Sequence, residues 1–257
     1  MEKAALSLRN FRGLPIFAVV ISVGWTIAVG GSLDWNILQH MEHTREAAII
    51  DARANVTKDQ AFRYWATAHG GVYVPTDERT PPNPYLAHVP ERDLTTPSGR
   101  KLTLMNPAYI LRQTMEEFSR FYGVRGHITS AKPLRPMNAP DEWEKTSLLA
   151  FERGVEETIE FSEIEGEPYL RLMHPMITEK GCLKCHAHQG YQEGDVRGGV
   201  SISVPMKSYL GVHTETNERL FVSHGIVWLL GLGLIGVGST RMNQQLQRRK
   251  KAEEDLR

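Results

Sequence analysis

Residues 155–174 read VEETIEFSEIEGEPYLRLMH, and their alternation decides the fold. In VEETIEFSE (155–163) the apolar side chains Val155, Ile159 and Phe161 share one parity, and in PYLRLMH (168–174) Leu170 and Leu172 do the same. A period of two belongs to strands, and the intervening Glu165-Gly166 is a hairpin signal. Residues 198–205 (GGVSISVP) alternate again and predict a further strand. Working outward, residues 35–68 read as a long helix. Leu38, Met41, Ala48 and Ala52 fall near helical spacing, and no Pro or Gly intervenes before Gly70-Gly71. The stretch 75–100, with Pro75, Pro81, Pro82, Pro84, Pro90 and Pro97, reads as loop, as do residues 130–141. Helices are expected over 107–121, with Pro107 near the start, over 142–153 and over 206–219. The order helix, loops, sheet, helix describes a small α+β domain without internal repeats.

Two apolar runs bracket that domain. Residues 14–33 (LPIFAVVISVGWTIAVGGSL) hold no formal charge, and residues 220–240 (LFVSHGIVWLLGLGLIGVGST) hold only His224 as a titratable side chain. A bilayer core about 30 Å thick takes about 20 apolar residues as helix, so both runs are long enough to span it. A cleaved signal peptide is the alternative for the first, although no clear small-residue cleavage site follows it. A buried core helix is the alternative for the second. The chain has 30 Lys+Arg and 30 Asp+Glu, but they are sorted: residues 34–219 hold 21 basic and 26 acidic side chains, and the two ends hold nine and four. Basic residues beside spans are retained in the cytoplasm. The expected layout is therefore a cytoplasmic tail (1–13), a first span (14–33), an extracytoplasmic domain (34–219), a second span (220–240) and the start of a cytoplasmic signalling helix (241–257). That makes a two-span protein of a bacterial inner membrane with a periplasmic domain. Glycines on both runs (Gly24, Gly30, Gly31; Gly231, Gly233, Gly236, Gly238) would permit close helix packing.

The acidic centre argues against nucleic acid as a partner. Two Cys are too few for a disulfide scaffold. No phosphate-binding loop, nucleophile motif or acid–base pair is visible, so no enzymatic activity is expected.

Both cysteines lie in GCLKCHAHQG (181–190), with Cys182 and Cys185 three apart and His186 next. This is the attachment signal of a c-type haem. Two thiols on one side of a short turn can add to the two haem vinyl groups, and the adjacent imidazole becomes the proximal iron ligand. A disulfide or redox pair, and a zinc site of Cys182, Cys185, His186 and His188, are the other readings. For one covalent haem c, His69 is the first candidate for the distal ligand, with Met105 and His174 as alternatives and His127, Met137 and Met176 behind them. His188 suits a propionate or solvent, while His40, His43, His88, His213 and His224 read as non-ligands. Trp65, Tyr73, Tyr109 and Trp143 are candidate pocket walls, and Arg112, Arg125 and Arg197 candidate propionate partners. Ordinary packing or surface solvation is the plain alternative for each of these seven.

The stretches HGGVYVP (69–75), LTLMNPAYILRQ (102–113), GHITSAKPLRPMNAPDEWE (126–144), GCLKCHAHQGY (181–191) and RGGVSISVPM (197–206) cover most of 34–219 in order. On them the chain resembles the periplasmic c-type haem sensor domains with a PAS-like fold, found in bacterial histidine kinases, chemoreceptors and cyclic-dinucleotide enzymes. The resemblance implies a haem covalently held by Cys182 and Cys185, His186 as axial ligand, a PAS-like antiparallel sheet flanked by helices, and redox or small-gas sensing. A branch of that family uses a further Cys as second axial ligand. Both Cys of this chain lie in the motif, so that ligation does not carry over.

The expected function is a membrane-anchored haem sensor that converts redox state or gas ligation into a transmembrane signal. It would act as a homodimer with a cytoplasmic output or partner kinase. The rival is a single-haem membrane cytochrome that carries electrons between periplasmic redox partners.

Overall fold

The computed structural model describes residues 2–117, 121 and 123–256, with side chains from Ile16 onward. Residues 118–120, Tyr122 and Arg257 lie outside that description, and with them the end of the helix expected over 107–121. So do Met1 and the side chains of Lys3, Arg9 and Arg12 in the basic N-terminal flank. Two compact units emerge: residues 1–44 with 210–257, and residues 45–209.

The first unit consists of segments of two long helices, α1 (Glu2–Ala68) and α5 (Lys207–Asp255). Both hold stretches long and apolar enough to cross a membrane. They touch through polar groups. Trp25 Nε1 donates to the Trp228 carbonyl at 3.2 Å, and Trp228 Nε1 donates to Thr26 Oγ1 at 3.0 Å. A Cβ on Gly231 would lie 2.1 Å from Trp25 Nε1, so of the glycines on these runs this one makes room for a close approach.

The 45–209 unit is built on a four-stranded antiparallel sheet ordered β4-β7-β6-β5. The strands are β4 (Arg125–Thr129), β5 (Thr158–Ile164), β6 (Glu167–Ile177) and β7 (Val196–Pro205). Glu165 and Gly166 join β5 to β6 with φ of 56° and 80°, and Ile164 faces Glu167 across them. Two left-handed residues in a two-residue loop match the twist of the flanking strands. One sheet face carries Leu170, Leu172, Val200 and Ile202, covered by Ala48, Ala52 and Val56 of α1 and by Leu111 and Met115 of α2 (Pro107–Glu117). On the other face Met173 packs on Leu148 and Phe151 of α3 (Glu142–Phe151).

A second, three-stranded sheet, ordered β1-β3-β2, was not anticipated. Its strands β1 (Val72–Pro75), β2 (Asp93–Thr95) and β3 (Lys101–Met105) are three to five residues long, too short to show a period; β1 and β3 flank the Pro-rich stretch, and β2 lies inside it, where only loop was expected. β4 was missed for the same reason. β6 runs on past residue 174 to Ile177; Pro175 lies beyond the last β5 partner and pairs only with Gly199 of β7.

A buried carboxylate ties α3 to the sheet. Glu144 is 1% exposed, accepts from Ser201 Oγ at 2.6 Å and His127 Nδ1 at 2.9 Å, and completes a capping box with Asp141. Burial alone would raise the Glu144 carboxyl, but these donors hold it below the usual carboxylate range. Burial alone would lower the His127 imidazole, but Glu144 holds it above its ordinary value. The carboxylate contribution to stability is present above the ordinary carboxylate pKa and is lost as pH falls through the depressed one. The imidazole contribution is present below the ordinary histidine pKa and is lost as pH rises through the elevated one. The pair is complete between roughly pH 4.5 and 6.5. Glu144→Gln is expected to destabilise the fold by about 1–3 kcal/mol in that window. The gap to wild type should narrow at pH 9 and at pH 3 in thermal melts followed by circular dichroism.

Candidate functional site

The Cys-x-x-Cys-His segment folds as three consecutive short turns: 3₁₀ over Lys180–Cys182, one α-turn, α4 (Leu183–His186), and 3₁₀ over Ala187–Gln189. Gly181 rests on α1, since a Cβ there would lie 2.7 Å from Thr67 Cγ2. Both thiols are free. Cys182 is buried and accepts from the Glu179 N–H at 3.4 Å. Cys185 is half-buried against Leu86, Val89, Leu104 and Tyr73, and burial pushes its pKa up.

His186 is held at both nitrogens. Its Nδ1–H donates to Gln189 Oε1 at 2.6 Å, and Gln189 Nε2 donates to the Lys132 carbonyl at 2.9 Å. The second bond fixes the amide so that its oxygen faces the imidazole, and that in turn assigns the tautomer. Nε2 is left with its lone pair, which accepts from Arg197 Nη1 at 3.1 Å. Burial first, and then the Arg197 charge, push the His186 pKa down to about 4.

Two clefts meet at His186 and Arg197. One, of about 510 Å³, is lined by Arg63, Thr67, Leu104, Cys182 and Cys185 among others. The second, of about 620 Å³, is lined by Tyr109, Arg112, Lys132, Arg135 and Met176 among others. Among the described residues no carboxylate lines either cleft. Arg63 is 2% exposed, and its Nε and Nη2 have no partner. Arg197 is 8% exposed and its Nε has none, while Nη2 reaches Met176 Sδ at 3.6 Å. Burial, then the charge of Arg63, pull Arg197 below the ordinary arginine range. Two thiols, a lone pair on a fixed imidazole and two buried guanidinium groups with N–H groups to spare are a donor set that fits a metalloporphyrin bearing acidic side groups. Among the described residues no three His, Cys, Asp or Glu side chains converge as a self-contained metal site, which disfavours the zinc reading.

Of the distal candidates, Met176 lines a cleft that His186 also lines. His69 is exposed, stacks on Trp65 at 4.6 Å and donates from Nδ1 to the Trp65 carbonyl at 2.8 Å. Met105 is buried on β3 facing Val72. His174 donates to Glu157 at 2.9 Å, beside Arg53. His127 spends both nitrogens, on Glu144 and on the Met137 carbonyl, and Met137 itself is exposed. Arg125 pairs with Glu165 at 2.8 Å, whereas Arg112 and Tyr109 reach the second cleft. Trp65 is exposed, Tyr73 packs near Cys185, and Trp143 stacks under Arg171 at 4.2 Å. His188 meets His88 edge-on at 4.5 Å, and His40 meets His213 through Nδ1 at 3.1 Å.

Sequence reading missed Arg63 and Gln189. For Arg63 the signal was present: Ala48, Ala52, Val56, Asp59, Arg63 and Ala66 recur at intervals of three or four and are all buried. For Gln189 there was none, because its role depends on a carbonyl 57 residues away.

A family model described as Tll0287-like (Tll0287) matches residues 37–205. The chain belongs to the Tll0287-like family. Its matched range holds both Cys, His186, Arg63 and Arg197, and leaves the two apolar runs outside. The chain is also similar to a solved structure titled "Crystal structure of the cyanobacterial heme-protein Tll0287", with 14% identity over 63% of this chain and 94% of that one and a TM-score of 0.40. No curated protein matches.

In this Tll0287-like domain, Gln189→Leu removes the acceptor that holds the His186 proton on Nδ1. The imidazole is then expected to shift toward the Nε2–H tautomer. The ¹⁵N shifts of His186 report that change, and identical shifts in variant and wild type would refute the role of Gln189.

Proposed function

We propose that the chain is a membrane-anchored c-type haem protein that senses redox state or a small gas and passes a signal across the bilayer. The observation that supports this best is the setting of His186. Its Nδ1–H is spent on Gln189, its Nε2 lone pair lies at a cleft shared with two thiols, and the whole belongs to the Tll0287-like family. In this reading Cys182 and Cys185 hold one haem through thioethers and His186 is its proximal ligand. When bound, haem supplies a one-electron couple and an iron site for a diatomic ligand.

The chain's own residues do the rest. Leu86, Val89 and Leu104 keep water from the Cys185 side, and Gln189 keeps the coordinating nitrogen free of its proton. Among the described residues that line the cleft beside the two thiols, His186 brings the one imidazole and no thioether is present, an arrangement compatible with an open or displaceable sixth position. Met176 is the protein ligand best sited for a six-coordinate electron carrier; His69, Met105 and His174 would each have to leave the partners described above. Contact between Gly181 and Thr67 couples the motif to α1. A change of state at the motif would bias that helix by the difference in its interaction with the two states.

The domain at 34–219 is periplasmic and PAS-like, residues 14–33 and 220–240 span the inner membrane, and residues 1–13 and 241–257 are cytoplasmic. The working form is a homodimer that signals to a cytoplasmic partner such as a kinase and has no catalytic activity of its own.

Expression of the full chain with a haem-attachment system is expected to give a covalent pyridine haemochrome band. Cys182→Ala and Cys185→Ala should lose it, and the reduced wild type should bind CO rapidly. A wild type no redder than the variants would sink the haem reading. An inert low-spin spectrum with fast electron exchange would point to the carrier instead.

A further inference from the structure

The second cleft is walled by Arg112 of α2, by Lys132 and Arg135 of the segment between β4 and α3, and by Arg197 of β7. Like charges gathered away from water repel and lose hydration, so the setting calls for an anion. One protein carboxylate stands close. Glu116 is exposed and meets Arg135 at 3.1 Å, but its contact with Arg112 is 3.9 Å, beyond hydrogen-bond distance. Arg112 lies instead 4.4 Å over the Tyr109 ring. Burial, then the charge of Arg135, pull Arg112 below the ordinary arginine range against the opposing pull of Glu116. Lys132 Nζ lies 5.7 Å from the centre of the Tyr191 ring. Arg197 donates to His186 and Met176, both uncharged, and its Nε is buried without a partner. Such a donor forfeits its hydration for no return, so a ligand is its natural acceptor. Leu86, Ala108, Ile128, Pro133 and Leu134 line the same cleft. A hydrated inorganic anion gains nothing from apolar walls, whereas an acid on a carbon body meets both halves of the lining.

We propose that this cleft binds a carboxylate carried on an apolar body, with Arg112 and Arg197 as its guanidinium partners and Lys132 adding charge from its exposed position. A forked, planar guanidinium suits paired hydrogen bonds to a carboxylate, and the Tyr109 ring holds the plane of Arg112. The proposal does not rest on the haem reading, because it uses neither thiol. Two sources share this chemistry: a free organic acid, and the acidic side groups of haem. A free acid would give the domain a second chemical input beside redox state or a gas. It would enter next to His186, which lines the same cleft.

The test uses the full chain in detergent, produced without haem, and ligand-detected NMR titrations at low salt. The probes are benzoate and benzamide, alike in shape and different in charge. Benzoate is expected to bind with a Kd of about 1 mM or tighter, and benzamide at least about tenfold more weakly. Arg112→Gln and Arg197→Gln should each weaken benzoate about tenfold or more, and Lys132→Gln about threefold. Should Arg197→Gln fail to fold, the other two variants decide, since both lie nearer the surface. Equal binding of benzoate and benzamide, sulfate that competes as well as benzoate, or an affinity that neither Arg112→Gln nor Lys132→Gln changes overturns the proposal. Competition then reads the source. Haemin that displaces benzoate, with a dimethyl ester that does not, assigns the carboxylate to the cofactor, and benzoate that persists beside haemin assigns it to a free acid. Displacement by diacid and ester alike makes the cleft a porphyrin wall and overturns the carboxylate site. A wild type without a haemochrome band overturns the haem reading alone, because the benzoate titrations need no haem.

Discussion

β7 has no face turned to solvent, and the rest of the 45–209 unit depends on that. From Arg197 to Val204 every residue of the strand is buried. It pairs with β4 on one side and β6 on the other. Such a strand tolerates side chains only where a neighbour leaves room. A Cβ on Gly198 would sit 2.2 Å from the Thr129 carbonyl oxygen, and one on Gly199 would sit 2.1 Å from Met173 Cε. Ser201 survives in this setting because its hydroxyl has Glu144 to donate to. At the first turn of the strand the same burial carries Arg197 into the cleft beside His186. The strand that organises the core therefore also delivers a functional side chain, and packing there cannot change without moving the site.

The hairpin at 158–177, the helices at 107 and 142 and the last strand were legible because each announces itself locally, by period, by proline or by a turn. Asp141 and Glu144 form a capping box whose residues are three apart in sequence, so its partners are local. The small sheet was not legible. Its pairing of Tyr73 with Leu104 joins residues 31 apart, and three to five residues carry too little pattern to show it. At the site the division is similar. Cys182, Cys185 and His186 are contiguous and stood out at once. The groups that give His186 its tautomer and Arg197 its surroundings come from four separate elements, and only the folded chain brings them together. His69 drew attention through two following glycines. Its ring instead lies back along its own helix onto Trp65, a contact its i−4 spacing permits and the glycines do not report.

The zero formal charge of the chain hides a third level of sorting inside the domain. Residues 34–219 are acidic as a whole, yet among the described residues the walls of the two clefts carry Arg63, Lys184, Arg197, Arg112, Lys132 and Arg135 and no acid, although Glu116 behind the wall pairs with Arg112 and Arg135. Low-dielectric walls concentrate such a field.

Protons and metal ions compete for the same lone pair on an imidazole. An ordinary histidine at about pH 5.5 is about nine-tenths protonated and has mostly lost that competition to water's protons. His186, pushed down to about 4 by its burial and by the Arg197 charge, stays neutral there. The hydrogen bond from Arg197 thus holds the Nε2 lone pair in place at a pH that would protonate an ordinary imidazole.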